Sequence, residues 1–298
     1  MPYKTITVEI TDGILTLTLN RPEKMNAFTA EMAKELITAF GTASEDDRVR
    51  VIIVTGAGKA FCAGMDLSTE GNVFGLSEDF QPTLEDMNTR LSDPVIEEGV
   101  RDTGGQLTLA IFACKKPVIG AINGAAVGIG ATMTCAMDIR IASDTARIGF
   151  VFNKIGITPE ACSTWFLPRI VGLSTALEWC FTGDILTADE VLNRGFVKAI
   201  VPSESLLDEA RDLAKRMTKH RPVAMALTRQ MMWRNSAENH PIHAHKIDSL
   251  AIYYASKTSG KEGVSAFLEK RAAIFQDQAS SDMPPFYPWW DDVEIEPS

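Results

Sequence analysis

Two short apolar runs, each ending in a glycine-bearing turn, constrain this chain more than any other feature. Val51–Val54 runs through Thr55–Gly56 into Ala60-Phe61-Cys62-Ala63-Gly64-Met65-Asp66-Leu67. Val118–Ile122 runs into Asn123-Gly124-Ala125-Ala126-Val127-Gly128-Ile129-Gly130. Apolar runs this short, without alternation, fit strands buried on both faces, the habit of parallel sheets covered by helices. A glycine turn at a strand end can expose free backbone N–H groups, and a helix starting there adds the positive end of its dipole. Two such groups converging on one point form a site for a developing oxyanion. Taken singly, each set of glycines is better explained by tight packing.

The rest of the chain supplies matching elements. Ile6, Val8 and Ile10 alternate with polar residues, Asp12–Gly13 makes a turn, and Ile14–Leu19 alternates again, which predicts a hairpin. From Thr29, the spacing of Met32, Leu36 and Phe40 predicts an amphipathic helix. Gly128–Met137 reads as a small-residue buried helix, and Asp138–Ala142 as a further strand. Thr187 and Glu190 have the capping-box spacing of a helix start. The stretch Thr69–Gly105 is acidic and polar, partly helical, and long enough to carry function. Beyond about Val201 four amphipathic helices are expected, over Ser203–Lys219, Pro222–Arg234, Pro241–Ser256 and Gly260–Phe275. Asp282–Ser298 is rich in proline and aromatic residues, and reads as an extended tail on a neighbour or a partly disordered one.

Composition excludes several classes. With 298 residues and 45% hydrophobic content, the chain can bury one large core, with or without an appendage. A net charge of -10 argues against non-specific nucleic-acid binding. Cys62, Cys114, Cys135, Cys162 and Cys180 are odd in number and lack C-x-x-C spacing, which fits a reducing compartment. Met1–Ile10 does not read as a signal peptide. Gly120–Ala136, the longest apolar stretch, is too short and glycine-rich for a membrane span. A cytoplasmic protein is expected.

Other motifs fail. Gly56–Lys59 has Ala60 where a phosphate loop needs Ser or Thr, and no G-x-S-x-G elbow is present. His240, His243 and His245 lack metal-ligand spacing and read as scattered residues at a helix start. Gly124, Gly128 and Gly130 do not make a dinucleotide fingerprint. No metal and no separate cofactor are expected.

Together the motifs are far more specific than apart. Arg21-Pro22-Glu23-Lys24-Met25-Asn26-Ala27-Phe28, the Ala60–Leu67 turn, Lys116–Ile119 leading into the Asn123–Gly130 turn, Asp138, and Glu262-Gly263…Phe267-Leu268-Glu269-Lys270-Arg271 occur in fixed order. This chain resembles the crotonase (enoyl-CoA hydratase/isomerase) family from about Ile6 to Phe275. The resemblance implies an α/β fold, a spiral of β-β-α turns with a C-terminal helical trimerisation region. It divides the chain into an acyl-CoA-binding core over 1–200, a helical oligomerisation region over 201–275 and an extended tail over 276–298. It implies an acyl-CoA thioester as substrate, coenzyme A being part of that substrate, and a homotrimer or homohexamer. The backbone N–H groups of Met65 and Ile129 would form the oxyanion hole. Lys24, Asn26, Asp66 and Leu67 would border coenzyme A, with Phe267 and Lys270 supplied by a neighbouring subunit.

The chain departs from the family's hydratases at two places. The positions matching their two glutamates hold Thr132 and Phe152, and neither can act as a base near neutral pH. Another acid is available in Gly156-Ile157-Thr158-Pro159-Glu160-Ala161-Cys162-Ser163-Thr164, which resembles the turn of peroxisome-type Δ3,Δ2-enoyl-CoA isomerases, where that glutamate is the single base. Double-bond migration needs one carboxylate to move a proton over two carbons, with the enolate held between the steps. Phe152 and Trp165 are candidates for an apolar wall that raises the Glu160 pKa. The Thr69–Gly105 stretch is expected to cover the acyl pocket and to offer a second acid from among Asp93, Glu97, Glu98 and Asp102. Δ3–Δ2 isomerisation therefore comes first. Hydration of a 2-enoyl thioester, cleavage of a C–C bond or thioester, and a non-catalytic acyl-CoA-binding protein are the alternatives.

Overall fold

The computed structural model describes residues 3–68 and 71–290. The chain opens with β1 (Ile6–Thr11) and β2 (Ile14–Leu19), antiparallel about Asp12 and Gly13. Both turn residues have positive φ, the geometry that matches the twist of a two-residue hairpin. Next is α1 (Ala30–Glu45), whose Thr29 side chain caps Met32 N at 3.1 Å. Met32, Ala33, Leu36, Ala39 and Phe40 form its buried face.

A unit then recurs three times: a strand, a tight turn, a short second strand, and helix. It runs first as β3 (Val51–Gly56) and β4 (Ala60–Cys62) with α2 (Leu84–Thr89), α3 (Pro94–Gly99) and α4 (Thr103–Ala113). Next come β5 (Val118–Ile122), β6 (Ala125–Val127) and α5 (Ile129–Cys135). The third unit is β7 (Ile139–Ser143), β8 (Arg147–Gly149), α6 (Ser163–Val171) and α7 (Leu173–Thr182). The chain continues through β9 (Ile185–Thr187), α8 (Ala188–Asn193) and β10 (Ala199–Val201). It closes with α9 (Leu206–Thr218), α10 (Pro222–Asn235), α11 (Pro241–Lys257) and α12 (Gly260–Glu269).

The longer strands make one sheet, in the order β1-β2-β3-β5-β7-β10, parallel except for the β1–β2 hairpin. The short strands make another, β4-β6-β8-β9. This is the expected α/β spiral of β-β-α turns. The unbroken apolar runs follow from cover on both faces. Ile52, Val54, Val118 and Ile122 face one core with α1, while Val51, Ile53, Ile119 and Ala121 face a second core closed by Leu206, Ala210, Leu213 and Ala214 of α9. Burying one Leu or Ile this way is worth about 1.5–3 kcal/mol. The chain after 201 thus begins as a layer of the core, since α9 lies on β2, β3, β5 and β7.

Two expectations for the C-terminal part change. The last helix stops at Glu269 instead of continuing to Phe275. Lys270 adopts a left-handed conformation, and Glu262 turns the chain back by accepting from Arg271 and from Ile274 N. The tail packs on its own chain, as far as Trp290. Asp277 pairs with Arg221, Ser280 bonds to Asp47, and Arg234 lies over the Trp290 ring at 3.4 Å. Residues 291–298 of that tail lie outside the described residues. Among the described residues no helix is long and apolar enough to cross a membrane.

Candidate active site

The two glycine turns meet because their strands are neighbours. β4 pairs parallel with β6, Cys62 opposite Ala126. Met65 and Ile129 each lie three residues beyond that pair, so parallel pairing carries both to the same end of the sheet. Gly64 and Gly128, the residues before them, both have positive φ, 110° and 55°. They also approach closely, since a Cβ on Gly128 would stand 3.9 Å from Gly64 Cα. Phe28 bridges to Met65 in parallel fashion, but its hydrogen bonds go to Gly64 O and from Asp66 N. That pattern leaves Met65 N–H directed away from Phe28. Ile129 opens α5, where the first N–H groups have no intrahelical acceptor. Both residues line a cavity of about 340 Å³.

Glu160 lines the same cavity. The turn that presents it has two consecutive non-glycine residues at positive φ, Ala161 (56°) and Cys162 (54°). Such backbone costs of order 1 kcal/mol per residue and persists where the surroundings fix it. Thr132, one turn into α5, donates its hydroxyl to Glu160 Oε1 at 2.6 Å. The glutamate therefore reaches across the cavity to the helix position that offers no acid of its own. Burial pushes its carboxyl up to about 8, opposed by the Thr132 bond and reinforced by Asp102. Phe152 is buried and lines the cavity, as expected of an apolar wall. Trp165 does not line it. It packs instead on Phe112, Phe166 and Trp233, because α6 turns it toward α4 and α10. Leu67, Phe74, Leu76, Ile155 and Ile157 supply further apolar lining, and the Thr69–Gly105 stretch thus contributes to the pocket.

Of the four acids proposed in that stretch, the fold brings only Asp102 to Glu160. Asp93 caps α3 and pairs with Arg90. Glu98 reaches Lys34 on the surface, and Glu97 lies on the exposed side of α3. Asp102 caps α4, its Oδ1 accepting from Gly105 N and, at 3.2 Å, from Ala161 N beside Glu160. Its carboxyl thereby lines the same cavity as Glu160, bonded to the residue next to it in the turn, and its charge adds to burial in holding the Glu160 pKa up. Sequence spacing could not single out Asp102 among four acids. Gly104 was also missed, and an added Cβ there would overlap Glu160 Oε2.

The residues assigned to coenzyme A divide. Lys24 is exposed, Leu67 is 62% exposed and lines the cavity, and Phe267 and Lys270 are exposed on the helical side. Asn26 requires correction, because it is fully buried. Its Oδ1 accepts from Arg21 N and its Nδ2 donates to Ala57 O and Ala60 O, so its side chain clamps two loops together and offers nothing to a ligand. Asp66 is nearly buried. Its carboxylate faces Ser68 and Arg21, which hold its pKa far below the usual range. Among the described residues no group of three His, Cys, Asp or Glu side chains gathers to hold a metal. His240 caps α11 through Nδ1, in keeping with a helix start.

The family description enoyl-CoA hydratase/isomerase matches residues 9–278. The chain belongs to the enoyl-CoA hydratase/isomerase (crotonase) family. It is 36% identical over 269 residues to the enoyl-CoA hydratase ACTT3 of Alternaria alternata, covering 89% of this chain and 84% of the relative. It is 34% identical over 267 residues to the 1,2-epoxyphenylacetyl-CoA isomerase of Escherichia coli (strain K12), covering 88% and 95%. The crystal structure of an enoyl-CoA hydratase from Bacillus anthracis superposes with a TM-score of 0.78 at 28% identity, covering 91% and 99%. The protein is thus a crotonase-family enzyme, and the non-catalytic alternative falls. Crotonase relatives carrying hydratase names and isomerase names both occur, so the reaction has to be argued from the pocket.

Proposed function

We propose that the enzyme moves the double bond of a 3-enoyl-CoA to the 2-position, with Glu160 as the only proton shuttle. The Glu160 carboxylate takes a proton from C2, and the electron pair moves onto the thioester oxygen. Met65 and Ile129 N–H hydrogen-bond that enolate oxygen. Glu160 then returns the proton at C4, leaving a C2=C3 bond. The observation that carries this reading is the position of Glu160. It accepts from Thr132, which lies one helical turn beyond Ile129, in a pocket whose two hydratase positions hold Thr132 and Phe152. Apolar lining suits an unfunctionalised acyl tail, and in this reading Lys24 and Leu67 border coenzyme A. In this reading Phe267 and Lys270 complete the nucleotide site of a neighbour in a trimer or hexamer.

The test is Glu160→Gln. With a 3-enoyl-CoA it lowers kcat by about 10²–10⁴-fold, the range for loss of a general base, and leaves affinity for the thioester nearly unchanged. A loss under about threefold would point to another base. Hydration of a 2-enoyl-CoA is the second reading. It is favoured by the second carboxyl, Asp102, which lies at the exposed side of the pocket where water enters.

A further inference from the structure

Glu160 presents its two oxygens to two different surroundings. Oε1 takes the Thr132 hydroxyl at 2.6 Å, on the wall formed by α5. Oε2 faces the start of α4, where a Cβ on Gly104 would overlap it. The Asp102 carboxyl lies on that same outer side, tied by Oδ1 to Gly105 N and Ala161 N. Asp102 is exposed, whereas Thr132 is fully buried, so the order from solvent inward is Asp102, Glu160, Thr132. Added to burial, the Asp102 charge opposes ionisation of Glu160 and so favours a proton on the inner carboxyl. The other titratable groups around Glu160 are the thiols of Cys62, Cys135 and Cys162. Burial raises all three, the first two to about 12, so they stay neutral and do not compete for the proton.

We propose that Asp102 is a proton relay between bulk solvent and Glu160, so that the proton removed from the substrate exchanges with water before it is returned. This rests on Glu160 being the shuttle. After Glu160 has taken the C2 proton, it passes that proton to the Asp102 carboxylate, which exchanges it with water and returns a solvent proton to Glu160. No bond of the substrate changes in this exchange, and the charge of the pair is conserved. Without the relay, the C2 proton stays trapped under the acyl chain and is delivered directly to C4. Asp102 is a positioning residue in this account, since it acts through Glu160.

Asp102→Asn isolates the role. Asparagine caps a helix about as well as aspartate, and its Oδ1 can keep both backbone bonds, so the fold is retained. The full-length enzyme is given 3-hexenoyl-CoA in D2O, and the 2-hexenoyl-CoA formed at early conversion is analysed by mass spectrometry. The wild-type product carries deuterium at C4. In D102N the labelled fraction falls by about threefold or more, while kcat stays within about tenfold. An unchanged labelled fraction in D102N overturns the relay and leaves the shuttle standing. Isomerisation that survives in E160Q overturns the shuttle and the relay together. A second readout needs no turnover. The infrared carboxyl band that E160Q removes titrates near pH 8 in the wild type and at lower pH in D102N, because the neighbouring negative charge is gone. A band that titrates at the same pH in both shows the carboxyls uncoupled and overturns the relay.

Discussion

Gly104→Ala separates catalysis from stability in one substitution. Gly104 lies within α4, at a φ that any residue adopts, so alanine meets no backbone strain there. Its Cβ, however, would overlap Glu160 Oε2 and stand 2.5 Å from Ile129 Cδ1 and 3.2 Å from Ala161 Cβ. Restoring ordinary contact requires the carboxylate and the Ile129 side chain to withdraw by about 1 Å, a displacement that costs on the order of 10²-fold in rate when it falls on a reacting group. Both groups that must move are side-chain ends. The overpacking cost is therefore held to about 1–3 kcal/mol, against a gain of up to about 1 kcal/mol from replacing glycine in a helix. The prediction is a fall in kcat of about 10²-fold with Tm lowered by no more than a few degrees. Steady-state kinetics on a 3-enoyl-CoA and a thermal melt measure the two halves. Full activity in the folded variant would refute the placement of Glu160 against α4, and unfolding would refute the claim that only side-chain ends give way.

Three further outcomes follow from the same pocket. Ile129→Pro removes one donor at a helix position that tolerates proline, so kcat falls by about 10²–10³-fold in a folded protein, and an unchanged kcat would mean the oxyanion sits elsewhere. The base must be ionised and titrates near 8, so kcat/KM climbs about tenfold per pH unit up to pH 8 and then levels, whereas a profile flat from pH 6 would show Glu160 ionised throughout. Linkage gives the matching stability effect. A carboxyl raised from 4.5 to about 8 holds its proton in the folded state, so this contribution is complete below pH 4.5 and is lost as pH rises through 8. Urea titrations of E160Q against the wild type then diverge by at least about 1 kcal/mol between pH 5 and pH 8.5, the mutant gaining, and parallel curves would contradict the burial of the charge.

Much of this fold could be read from the chain because its signals are local. The hairpin at Asp12–Gly13, the Thr29 cap, the capping box of Thr187 and Glu190, and the strands Val51–Val54 and Val118–Ile122 each announce themselves within a few residues. The second sheet was less legible, since β4, β6, β8 and β9 have three residues apiece, too few to show a period. Met65, Ile129 and Glu160 could be placed through motifs, and all three line one cavity. The partner of Glu160 could not, because four acids in an irregular stretch look alike until α4 brings one of them to the pocket. Asn26 shows the opposite error. A polar residue in a motif reads as a ligand contact, yet burial commits all of its bonds to the backbone around it. Trp165, a candidate for the wall, follows Glu160 closely in sequence, but the start of α6 turns it away.

The most direct test is to add the enzyme to a 3-enoyl-CoA and, separately, to a 2-enoyl-CoA, and to follow the ultraviolet absorbance of the conjugated thioester. The account predicts a rise with the 3-enoyl substrate, lost in E160Q. A fall with the 2-enoyl substrate and no rise with the 3-enoyl one would contradict isomerisation and make the enzyme a hydratase.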